Sequence, residues 1–155
     1  MKKWLWYALV IGAVALLSGN SAAGTDVGKL QPVQVVRVSS AAGQVLIETD
    51  TGNWGIGETL KNAFEDMKET ASAEIFLDTA DYLIVDERCR ELLTALTAYL
   101  RPSCAVCVGD GEVDMEKIGE FLEYHKPELT LSRYQAGETD LPVLRTEDGR
   151  MELVS

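Results

Sequence analysis

After Pro32 the run Val33–Ser39 (VQVVRVS) alternates apolar and polar positions well enough for a strand. Ser40-Ala41-Ala42-Gly43 reads as a turn and Gln44–Asp50 (QVLIETD) as a second strand, so the two predict a hairpin. Leu60, Ala63, Phe64 and Met67 then recur at helical spacing, with Lys61, Glu65, Asp66, Lys68 and Glu69 on other faces. Residues 74–85 (EIFLDTADYLIV) predict one long strand or two short ones around Asp78-Thr79-Ala80-Asp81. Cys89, Leu92, Leu93, Leu96 and Leu100 mark a second helix that begins near Asp86 and stops at Arg101-Pro102, because the residue before proline is pushed out of the helical region. Ser103–Val108 (SCAVCV) is a short apolar strand. Asp114 is placed to cap a third helix carrying Met115, Ile118, Phe121, Leu122 and His125 on one flank. The tail returns to strands, PVLR and RMELV, about Asp148-Gly149, a pair suited to the positive φ angles of a type I′ turn. The order ββαβαβαββ predicts an α/β or α+β fold, with a single layer of helices packed on one mixed sheet.

The first 23 residues break this pattern. Lys2 and Lys3 precede an uncharged run from Trp4 to Leu17, followed by small residues that end in Ser21-Ala22-Ala23 before Gly24. A basic start, an apolar middle and a small-residue end are the layout of a secretory signal peptide. The same residues also read as an uncleaved transmembrane helix, since the uncharged stretch continues to Thr25 and reaches the span a bilayer needs. Both readings place the folded part outside the cytoplasm, at the cell membrane or secreted. Residues 24–32 then read as a linker and 33–155 as one extracytoplasmic domain, a size that suits 155 residues in all. No Cys follows the apolar run to receive a lipid.

Composition sharpens this division. Hydrophobic residues make up 46% of the chain and charged residues 25%, which excludes a disordered polyelectrolyte. The net charge is −11, and beyond residue 23 it becomes −13, from 12 basic and 25 acidic groups. Nucleic acid is excluded as a partner on that charge, since its binding rests on Lys and Arg.

Several residue groups carry candidate chemistry. Cys104 and Cys107 form a C-x-x-C, which as an exported thiol oxidoreductase would need the first thiolate at a helix N-terminus. Here strand-forming residues flank the motif, and side chains three apart on a strand point to opposite faces. Cys89 is a disulfide candidate with Cys104 or Cys107, and adding His125 would just complete a zinc set. Asp78, Asp81 and Asp86 with the lone histidine, His125, would suit a small hydrolase if they converged. The glycine-rich Thr51–Gly57 precedes a helix, but Gly57 is followed by Glu58-Thr59, not by the lysine a phosphate loop requires. It is read as a mobile loop with Trp54 at its tip, which makes Trp54, Asn53 and Gly55 candidate partner contacts. No catalytic residue, cofactor or metal is assigned. The leading expectation is a non-enzymatic interaction protein of the cell envelope, with the thiol oxidoreductase as the alternative.

Gly57-Glu58-Thr59-Leu60 with Ala63-Phe64, then Ile75-Phe76-Leu77 through Leu83-Ile84-Val85, then Glu91-Leu92-Leu93 with Tyr99-Leu100 form a further pattern. From Gly55 to Leu122 it resembles the N-terminal domain of the C subunits of spore germinant receptors, the Ger(x)C family. The resemblance covers a little under half of the chain, mostly through core-packing positions. It implies a non-enzymatic domain within a membrane assembly, linked to sporulation or germination, with a protein partner there. The family's lipid-attachment Cys has no counterpart, and Thr79 or a neighbour stands where the family carries a middle-strand histidine.

Overall fold

The computed structural model describes residues 30–154. The expected signal or anchor, residues 1–23, lies outside them, as does most of the expected linker. Its last residues, Leu30–Pro32, form strand β1. The chain continues through β2 (Val35–Ala41), β3 (Gln44–Thr49), β4 (Trp54–Gly57), helix α1 (Leu60–Thr70), β5 (Glu74–Phe76) and β6 (Tyr82–Asp86). There follow α2 (Leu93–Leu96), β7 (Ala105–Asp110), α3 (Ile118–Tyr124), α4 (Leu131–Gln135), β8 (Val143–Glu147) and β9 (Arg150–Val154). Short 3-10 segments cover Leu77–Thr79 and Glu87–Leu92.

The expected mixed sheet is present, with seven strands in the order β4-β3-β2-β6-β7-β8-β9. Its centre, β2-β6-β7-β8, is parallel, and each side is finished by antiparallel strands. β1 and β5 pair separately, in parallel. Thr79 ties the two regions together: its hydroxyl accepts the Val33 N–H at 2.9 Å and lies 2.9 Å from the Val33 carbonyl.

Alternation along the central strands divides the interior in two. Val36, Val38, Leu83, Val85, Cys104 and Val106 face Phe64, Met67, Leu93, Leu96 and Leu131. Val35, Tyr82, Ile84, Ala105, Cys107 and Leu144 face Ile118 and Leu122. The helices therefore lie on both faces, where one layer was expected. The reason is visible in β6 and β7, which are apolar at every central position, as strands buried on both faces must be. On the first face Phe64 of α1 stacks on Tyr99, with ring centroids 4.3 Å apart. Full burial of a side chain of this size contributes about 2 to 3 kcal/mol.

The connection from β7 to β8 uses both faces. It descends as α3 and passes alongside the start of β7. There Val106 N–H donates to Leu129 O at 2.8 Å and Leu131 N–H to Cys104 O at 3.0 Å. The chain then reaches the first face as α4. One flank of β7 is thus shared, its first half taken by Leu129–Leu131 and its second half by β8 from Val108 onward.

The expectation of a transmembrane helix is corrected for these residues. Among residues 30–154 no helix is long and apolar enough to cross a membrane. The longest, α1, has 11 residues and alternates buried Leu60, Ala63, Phe64 and Met67 with exposed charge. The Trp4–Leu17 run on which the anchor was read lies outside the described residues.

Candidate functional site

The segment Thr51–Gly57, expected to be a mobile loop, is half turn and half strand. Thr49 and Asn53 close the turn, with Thr49 N–H donating to Asn53 O at 2.9 Å and Gly52 N–H to Thr49 O at 3.0 Å. The Asn53 amide nitrogen donates to Gln31 Oε1 and to Thr51 Oγ1, both at 2.9 Å. Asp50 accepts the N–H groups of Gln34 and Val35 at 3.1 and 3.2 Å. These bonds pin the turn to the base of the sheet.

The remainder, β4, is a strand because its glycines let α1 approach. A Cβ on Gly57 would stand 2.6 Å from Ala63 N, and one on Gly55 would stand 2.6 Å from Met67 Cβ and collide with the Ala63 carbonyl. Asp66 of α1 also accepts the Ile56 N–H at 2.9 Å, which satisfies a donor on the sheet edge. The three candidate contacts consequently part company. Gly55 is buried under α1, Asn53 is half-buried in the turn network, and Trp54 projects with 56% of its surface exposed.

The surroundings of Trp54 follow from register. Trp54 stands opposite Glu48, Glu48 opposite Arg37, Ile56 opposite Leu46 and Leu46 opposite Ser39, so all share one sheet face. This is the face that α3 covers further along, but the cluster beneath α3 takes no residue from β3 or β4. Leu46 and Ile56 are left half-buried. Arg37 closes the boundary, with its guanidinium 3.2 Å from Asp86 Oδ1, 3.8 Å from Glu48 Oε2 and 3.3 Å from the Gly111 carbonyl. A groove of about 360 Å³ runs between the turn and the approach to α3, lined by Glu48, Asp50, Asn53, Trp54, Met115 and Glu116. Its chemistry is an aromatic face and a thioether with three carboxylates around them.

The other sequence candidates do not converge. Cys104 lies in the cluster on one face and Cys107 in the cluster on the other. Burial pushes both thiols up from an ordinary 9.0 to about 12, against a lowering by Arg101 at Cys104. Cys89 is likewise raised by burial and by the neighbouring Asp86 and Glu91. All three are free and buried, so the Cys89 disulfide is not formed. Their placement gives the thiol oxidoreductase no exposed, low-pKa sulfur. Among the described residues no group of three His, Cys, Asp or Glu is arranged to hold a metal.

Asp81 is paired with Arg101 and Asp86 with Arg37, while Asp78 is exposed on a 3-10 turn. His125 follows the end of α3, with its ring 4.6 Å from that of Phe121 and tilted 31° to it. Arg37, Glu48 and Met115 were not anticipated at the site. The signal available for Arg37 was its position as the one charge within VQVVRVS. Comparison of the chain with family models, with curated proteins and with solved structures finds no match.

Proposed function

We propose that this is a non-enzymatic exported interaction module that binds a protein partner through the Trp54 groove. The observation that carries the reading is the 56% exposure of Trp54 on a strand and turn held rigid from within. A side chain carried on a fixed strand has less freedom to lose on binding than one on a mobile loop, and tryptophan is among the residues enriched at the energetic centre of protein contacts. Glu48, Asp50 and Glu116 around it favour a partner that presents a lysine or arginine, whose cation would sit over the indole. The dilysine and apolar leader supports export, and the Ger(x)C resemblance supports an envelope assembly connected with sporulation or germination.

Trp54→Ala tests the reading. The substitution is expected to leave thermal stability within about 0.5 kcal/mol, since the side chain is mostly in solvent. Capture from native cells with a C-terminal tag should lose a salt-sensitive partner that the unaltered protein retains. Equal capture by both forms would overturn the assignment.

A further inference from the structure

The opposite edge of the sheet presents a different surface. β9 pairs with β8 on one side, and among the described residues no strand pairs with its other side. Within the hairpin Arg145 stands opposite Glu152 and Glu147 opposite Arg150. These four share a face, and their signs alternate both along and across the two strands. Met151 and Leu153 project to the other face, toward α3. Beside Met151 lie the half-buried Phe121 and the exposed Tyr124 and His125, with Tyr124 80% in solvent.

We propose that β9 pairs antiparallel with β9 of a second copy of this chain, about a two-fold axis at Met151. In that register Arg150 of each copy faces Glu152 of the other. The rows across the four strands then read Arg145, Glu152, Arg150, Glu147 and, in reverse sense, Glu147, Arg150, Glu152, Arg145, with opposite charges adjacent throughout. A shift that centres the axis on Glu152 or on Arg150 would set like charges face to face, so among these three registers the pattern selects the one centred on Met151. The same axis brings Met151 against its counterpart and places the Phe121 and Tyr124 patches of the two copies on one side of the joined sheet. A closed two-fold contact of this kind leaves no unpaired β9 edge to propagate.

Sedimentation equilibrium on the full chain tests the pairing, with Glu152→Arg, Arg150→Glu and an equimolar mixture of the two. The unaltered protein should be a dimer. Each reversal alone sets two like-charged pairs in place of two opposite ones and should weaken the dimer roughly thirtyfold. In the mixture each Arg-bearing β9 meets a Glu-bearing β9, so association should return as a heterodimer. That recovery also shows that both variants are folded. A protein that remains monomeric, or a dimer that neither reversal weakens, overturns the proposal.

Discussion

The two edges of the sheet solve the same problem in opposite ways. β4 is short, glycine-bearing and pressed against α1, and the carboxylate of Asp66 takes up the Ile56 N–H. β9 has no helix against its outer side and relies on alternating charge along its length. An edge covered by its own chain leaves one side chain, Trp54, free to act. An edge left open keeps its backbone free for another strand, and the charges beside it decide which strand fits.

The sharpest way to break this contrast is to remove the close approach at β4. Gly55→Val would drive its side chain into the Ala63 carbonyl and the Met67 backbone, neither of which can move without unseating α1. A loss of about 4 kcal/mol or more is expected, read by urea denaturation, with Trp54 emission altered as the strand detaches. A loss under about 1 kcal/mol would mean that α1 is not seated on β4.

The centre of the sheet supplies a reference independent of either edge. Cys104 and Cys107 hold their protons to about 12 in the fold, whereas the unfolded chain releases them near 9.0. Their stabilisation is therefore complete below pH 9 and declines as pH rises toward 12, by about 1.4 kcal/mol per pH unit for each thiol. Urea midpoints at pH 8, 9.5 and 10.5 should fall accordingly, and Cys107→Ala should lessen the slope. A slope unchanged by that variant would place the thiol in contact with water.

The smallest expected effect concerns the edge bond itself. Asp66→Ala leaves the Ile56 N–H without its acceptor and should cost about 1 kcal/mol, measured by thermal unfolding. Faster hydrogen exchange at Ile56 in the variant would mark the edge as newly opened, and an unchanged rate would mean that Asp66 does not shield it.

Much of this architecture is legible in the sequence wherever a local period exists. Leu60, Ala63, Phe64 and Met67 mark α1, and Asp148 and Gly149 take the positive φ angles, 49° and 73°, that their hairpin requires. β4 was hidden because glycine ordinarily weakens a strand, and here it is needed for a contact with residues that come later in the chain. β1, three residues within the expected linker, carries no period to detect, whereas β5 is the first of the two short strands that residues 74–85 predict. The second helical face was signalled by the apolar runs in β6 and β7, which periodicity alone cannot distinguish from a buried helix segment. At the site, Trp54 was identified, but its setting depends on Arg37 meeting Glu48 and Asp86 across the sheet, a pairing that local spacing does not encode.

The shared flank of β7 governs the order in which the molecule can open. Because Leu129–Leu131 hold its first half and β8 its second, losing the C-terminal hairpin still leaves Val106 bonded, and losing the α3–α4 passage still leaves Val108–Asp110 paired. Its amides are consequently the last to lose protection against solvent deuterium, exchanging through global unfolding. The surfaces assigned to partners thus sit at the two edges of the sheet, around a central strand that is clasped twice.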